Sequence, residues 1–226
     1  MNKSTIIKIG ILLLVFVAIG TIIYLLVSEN TSDEIKFKKE YESLNGEKND
    51  AGKKYMRISI SKDNNVKYAS YDEVMELLDK GTGILYLGFP ECPWCRNALP
   101  VLLKAAKENE VANIYYFNAL SIRDIKELKN GKIVTTKKGT KKYYNLVNRL
   151  EEHLGPYQGL EDESIKRIYF PTVVFVMGGE VVGLHVATVN SQDDPYKKLS
   201  KDQERELFDI YTKHIDAMFG ICDESC

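Results

Sequence analysis

The longest apolar run comes first. From Ile9 to Val27 the chain reads IGILLLVFVAIGTIIYLLV, 19 residues without a charge, close to the ~20 that carry a helix across a bilayer. A cleaved export signal has an apolar stretch of ~7 to 15 residues and a small-x-small exit. Here Ile22, Ile23, Leu25 and Leu26 continue the run past Ala18 and Gly20. The pattern predicts an uncleaved, single-pass transmembrane helix within residues 6–28, with 1–28 forming the cytoplasmic N-terminus and membrane anchor. Lys3 and Lys8 precede the span and Glu29, Asp33 and Glu34 follow it, a bias that keeps the N-terminus in the cytoplasm and exports the remainder.

Beyond the anchor the pattern changes. Residues 29–54 are polar, and Asn45-Gly46 and Ala51-Gly52 interrupt any long helix, which predicts a stalk with one short helix around Phe37 to Leu44, acting as a spacer. Alternation in YMRISI, Tyr55 to Ile60, predicts a strand. Ser70 and Glu73 form a capping box opening a helix whose Val74, Leu77 and Leu78 share one face. The unbroken apolar run GILYLGF, Gly83 to Phe89, is that of a strand buried on both faces. Helical spacing of Leu99, Leu102, Leu103 and Ala106 within Arg96 to Glu108, followed by the strand-like NIYYFNA from Asn113 to Ala119, completes a β-α-β unit.

Residues 121–167 read as an insertion with a helical cap. GKIVTTKKGTKK is a small hairpin or loop, solvated or else binding an anionic cell-surface polymer, and YYNLVNRLEEHL puts Tyr143, Leu146, Val147, Leu150 and Leu154 on one helical face. Two β-branched runs joined by Gly178-Gly179 then predict a hairpin. A second capping box, Ser200 with Gln203, opens a last helix with Leu207, Phe208, Tyr211, Ile215 and Met218 as its apolar stripe and Gly220 as its stop. The tail 221–226 holds Cys222 and Cys226. The domain proper is expected over 55–220, of α/β class.

Composition adds little except an exclusion. Of the 226 residues 44% are hydrophobic and 28% charged, with a formal net charge of -1, so no bulk attraction to nucleic acid is expected.

The chemistry lies in GFPECPWCRNALP, Gly88 to Pro100, where Cys92 and Cys95 follow the buried strand. Pro93 suits the first helical position, so Cys92 falls at the helix N-terminus. Unpaired amides and the helix dipole favour its thiolate there. Cys92 is the expected nucleophile and Cys95 the sheltered resolving thiol of a disulfide exchange. An oxidising exterior allows both thiol and disulfide states to matter.

Together these residues resemble the thioredoxin superfamily of thiol-disulfide oxidoreductases. The motif Cys92-Pro93-Trp94-Cys95 after a buried strand, Pro100 eight residues beyond Cys92, and RIYFPTVVFVMGGEVVG carry the resemblance, which covers roughly Tyr55 to Phe219. It implies a thioredoxin-like fold, a central mixed sheet flanked by helices. It makes Pro171 a cis-proline beside the cysteines, with the Phe170 backbone and Trp94 receiving a substrate strand. No cofactor is implied. The anchor, FPECPWCR and YFPTVVF look most like extracytoplasmic thioredoxin-like proteins of single-membrane bacteria, some called bacteriocin transport accessory proteins. The partners implied are cysteine-containing exported proteins or peptides and an upstream redox donor or acceptor. One departure is Tyr86, six residues before Cys92, where thioredoxins carry a buried acid; Glu91 either serves instead or is a surface carboxylate.

Other readings use the same residues. Cys92, Cys95, Cys222 and Cys226 are enough thiols for a zinc site, and the first pair alone is enough for a structural disulfide in a binding module attached to a peptide exporter. Cys222 and Cys226 either form a local disulfide or relay electrons to Cys92. His153, His185 and His214 fit no metal or triad spacing and are read as structural.

Overall fold

The structure, a computed structural model, describes residues 13–21 and 32–220. The expected anchor is represented only by residues 13–21, which are helical; the rest of that span and the tail with Cys222 and Cys226 lie outside the described residues. No helix among the described residues is long and apolar enough to cross a membrane.

Seven strands and five α-helices follow: α1 Asp33–Glu42, β1 Val66–Tyr68, α2 Tyr71–Lys80, β2 Gly83–Leu87, α3 Pro93–Glu108, β3 Ile114–Phe117, β4 Ile125–Lys129, β5 Lys132–Lys137, α4 Lys141–Arg149, β6 Thr172–Met177, β7 Glu180–Val186 and α5 Lys201–Phe219. Five strands form a mixed sheet in the order β1-β3-β2-β6-β7. β2 lies parallel to β3 and antiparallel to β6. Its residues are all buried because the sheet is covered on both faces. Ile84 and Tyr86 point into one core with Val173, Phe175 and apolar residues of α1, α3 and α5. Leu85 and Leu87 point into the other with Val174, Val176, α2 and α4. The period-two alternation of a strand thus builds a three-layer α/β/α sandwich.

Both capping boxes are present: Ser70 with Glu73 and Ser200 with Gln203 each exchange side-chain and backbone hydrogen bonds. At Gly178-Gly179 both residues have positive φ, and a Cβ on Gly179 would overlap the Asp79 carbonyl. Glycine there is needed for the turn and for close approach to α2.

Three expectations are corrected. Tyr55 to Ile60 joins no sheet. The segment is extended with Ile58 and Ile60 buried, but side chains stand in for a neighbouring strand. Asn45 donates to the Ile58 carbonyl at 2.8 Å and accepts from its N–H at 3.0 Å. Glu42 accepts from Ile60 N–H at 2.7 Å while Lys38 donates to the Ile60 carbonyl at 2.7 Å. Alternation reports which side chains are buried and is silent on what satisfies the backbone.

The stalk is the second correction. Residues 33–42 are a helix whose Phe37 and Tyr41 are fully buried in the sheet core, and Asp33 accepts from Tyr68 N–H at 3.0 Å, closing the outer edge of β1. The domain therefore extends back to residue 33. The two aromatics, four apart, are a helical core face that the surrounding charge conceals. Phe37 lies 4.9 Å from Tyr116 and 4.7 Å from Tyr41, centroid to centroid. Phe37→Ala is expected to cost about 3–5 kcal/mol of stability, read from the urea midpoint. A loss below about 1 kcal/mol would return α1 to the role of spacer.

The insertion is the third. The hairpin allowed for GKIVTTKKGTKK is present but starts earlier, at Ile125: β4 and β5 pair as a separate two-stranded sheet turning at Asn130-Gly131, both at positive φ. Only α4 and a short 3-10 turn, Glu151–His153, supply the expected cap.

Candidate active site

The cysteine pair sits at the carboxyl end of the central strand β2, where the chain turns directly into α3. Cys92 is the helix N-cap and Pro93 opens the first turn. The Cys95 amide donates to Cys92 Sγ at 3.3 Å, so this thiol takes the place of a capping oxygen. Both cysteines are free, Cys92 at 6% exposure and Cys95 fully enclosed. α3 continues through Pro100.

Their environments push the two thiols apart. A hydrogen bond from the Cys95 thiol is the chief cause that holds Cys92 below the usual thiol value. The amides of Cys95 and Trp94 and the charge of Arg123 add to it against the opposing cost of burial. Burial pushes Cys95 far up, and its bond to Cys92 and the negative charge there push further. The pair thus holds one proton over a broad pH range, with charge on Cys92 and hydrogen on Cys95.

Across the mouth, Phe170–Pro171 is a cis peptide bond, the form expected for it. Cys92 Sγ lies 3.4 Å from the Phe170 carbonyl, and Phe89 packs edge-on against the Phe170 ring at 5.3 Å. The Phe170 N–H has no acceptor among the described residues. Trp94 is half-buried against the second core. The structure therefore brings Cys92, Cys95, Trp94, Phe170 and Pro171 together.

Behind Cys95 sits Tyr86, fully buried, its hydroxyl 3.0 Å from that of Tyr41. Burial first, then the nearby Cys95 thiolate, raise both phenols well above their ordinary values. They remain neutral hydroxyls that donate hydrogen bonds, and the bond between Tyr86 and Cys95 eases ionisation of that thiol. Tyr86 thus offers Cys95 a buried donor rather than a base. Glu91 is exposed.

Sequence reading missed four participants. Arg96 is completely buried, and its guanidinium donates to Met56 O at 2.8 Å, Tyr41 O at 2.9 Å, Pro90 O at 3.2 Å and Asn45 Oδ1 at 2.7 Å. A cation in the first turn of a helix opposes the dipole, and that was the available signal. Tyr41 is the second. Arg123 and Arg167 are the others, brought from the two ends of the insertion to the Phe170 loop: Arg123 lies 4.7 Å from the Phe170 ring centroid, and Arg167 lies 4.1 Å from Tyr157 and 5.5 Å from Tyr169. Nothing in their spacing marks them.

The histidines stay outside the site. His185 Nε2 is 2.7 Å from the Thr188 carbonyl, and His214 lies 4.9 Å from Phe175; burial lowers both pKa values. Among the described residues no three metal-ligating side chains come together. A surface cavity of about 440 Å³ lined by Ser59, Asn65, Pro100 and Lys107 shares no residue with the cysteine site. No family model matches the chain, and no curated protein sequence matches it.

Proposed function

We propose that this chain is a membrane-tethered, outward-facing thiol-disulfide oxidoreductase with a thioredoxin-like fold, acting on cysteines of exported proteins or peptides. The observation that carries the reading is the division of labour at the end of β2. A thiol of lowered pKa at the helix N-terminus stands directly over an enclosed thiol of raised pKa, beside a cis X-Pro loop with a free amide.

The Cys92 thiolate attacks one sulfur of a substrate disulfide, forming the mixed bond and expelling the other substrate sulfur as a thiolate, which takes up a proton. Cys95 then gives up its proton and attacks Cys92 Sγ, releasing the second substrate thiol. The protein loses two electrons and the one proton of Cys95, solvent supplies the second proton, and the substrate ends as two thiols. Run backwards, the same steps oxidise a dithiol. Tyr86 donates to Cys95 as its charge develops, and the Phe170 amide donates to a substrate carbonyl in strand geometry.

Both thiols being largely enclosed favours a second reading, a binding module with a structural pair. Trapping separates the two. Cys95→Ala cannot resolve the mixed disulfide, so affinity capture from intact cells is expected to bring down partners that reductant releases. Capture that is identical from Cys92→Ala/Cys95→Ala, or that reductant leaves unchanged, overturns the enzyme reading in favour of the module.

A further inference from the structure

The insertion brings Arg123 to the reactive thiol and Arg167 close to Arg123, with no ion pair to either among the described residues. Arg123 lies over Phe170, whose carbonyl is 3.4 Å from Cys92 Sγ, and its charge acts on Cys92. Arg167 is close enough to Arg123 that the two cations repel. Neither forms an ion pair among the described residues, and Arg167 Nε is buried without a hydrogen-bond partner.

The two groups are held in place. Arg167 stacks on Tyr157 and Tyr169, and each phenol is pinned in turn, Tyr157 by Lys126 N–H at 2.9 Å and Tyr169 by Gln158 N–H at 2.7 Å. The surrounding acids form no ion pair with them. Asp124 is enclosed and its charge acts on Arg123, but it turns Oδ2 to Lys126 at 3.6 Å and leaves Oδ1 without a partner. Glu91 acts on Tyr55 and Arg96, on the α1 side of the site. The adjoining hairpin carries Lys126, Lys129, Lys132 and Lys137 against the single acid Glu127, which Lys129 already engages at 2.8 Å. Two half-buried cations with an unsatisfied donor, sharing one rim, are an incomplete arrangement that an incoming anion completes.

We propose that Arg123 and Arg167 form a carboxylate-reading rim, so that the preferred substrate is a peptide disulfide with an acidic side chain next to its reacting cysteine. The proposal rests on the oxidoreductase reading and adds its substrate class. A carboxylate held between the two forks fixes the register of the substrate strand on the Phe170 loop. The lysines of the hairpin steer such a strand inward.

The test is a single-turnover reaction of the reduced protein with two peptides, each carrying its cysteine as a neutral 2-pyridyl disulfide and differing only in having aspartate or lysine on either side. Cys92 attack releases thiopyridone, so no further reductant is needed. At low salt the aspartate peptide is expected to react about tenfold faster than the lysine peptide. The ratio should fall toward one at high salt and in Arg123→Gln and Arg167→Gln, and be only partly retained in Arg123→Lys/Arg167→Lys, which keeps the charge without the fork. Loss of Arg123 also raises the pKa of Cys92, but that slows both peptides alike and leaves the ratio untouched. Equal rates in the wild-type protein, or a ratio indifferent to salt, overturn the rim while leaving the enzyme intact. Rates no faster than those of Cys92→Ser would instead sink the oxidoreductase reading itself.

Discussion

Cys92→Ser is expected to lower disulfide-exchange turnover by about 10³ or more, while Cys95→Ser retains the first attack and fails at release. The argument starts from where the sulfur sits. Serine at the N-cap accepts the same amide hydrogen bond and is a better cap than cysteine, so the fold survives and the loss belongs to chemistry alone. The pH profile carries the same information. In the wild-type protein the exchange rate is expected to follow the Cys92 thiolate, rising with pH and levelling off. Because the hydrogen bond from Cys95 and the helix amides lower that pKa, the midpoint should fall below the ordinary thiol value of about 8.5. Removing the Cys95 hydrogen, as in Cys95→Ala, deletes the chief cause and should move the midpoint upward. Iodoacetamide alkylation of the reduced protein across pH reads both midpoints. A midpoint at or above that of a free thiol, or a Cys92→Ser protein of undiminished turnover, would sink the mechanism.

How far the sequence carried this site follows from the range of each interaction. Cys92, Pro93 and Cys95 were legible because N-terminal capping and dipole effects act within one turn. The two capping boxes and the Gly178-Gly179 turn were legible for the same reason, each being complete within four residues. The failures lie where one short-range reading has two long-range outcomes. Asn45-Gly46 reads as a helix breaker, yet Asn45 also serves as the partner of Ile58 and Arg96. YMRISI alternates as a strand does, but its backbone is satisfied by α1 side chains. Arg123 and Arg167 are separated by 44 positions along the chain and meet only because the insertion folds back over the Phe170 loop. No periodicity reports a meeting of that kind.

Arg96 sets the second large effect, because it links those missed elements to the reactive loop. Arg96→Met is expected to destabilise the domain by about 3–5 kcal/mol. Replacing buried ionic groups with apolar ones is often harmless when every partner is replaced together. Here three of the four acceptors are the main-chain carbonyls of Tyr41, Met56 and Pro90, which no side-chain substitution removes. The Tyr41 and Pro90 carbonyls are left enclosed with their donor gone, and the Met56 carbonyl is left partly so. Burial lowers the Arg96 pKa, so the charge itself is a cost of the site, and its benefit is the planar fork that reaches four acceptors at once. Lysine has the charge without the fork, so Arg96→Lys should recover only a minor part of the loss. The urea midpoint reads stability. Cys92 alkylation reads the loop, because Pro90 stands two residues ahead of Cys92 and its carbonyl is no longer held. Arg96→Met with stability within about 1 kcal/mol of the wild type would show that water or repacking satisfies the three carbonyls, and that α1 is joined to the active-site loop by packing alone.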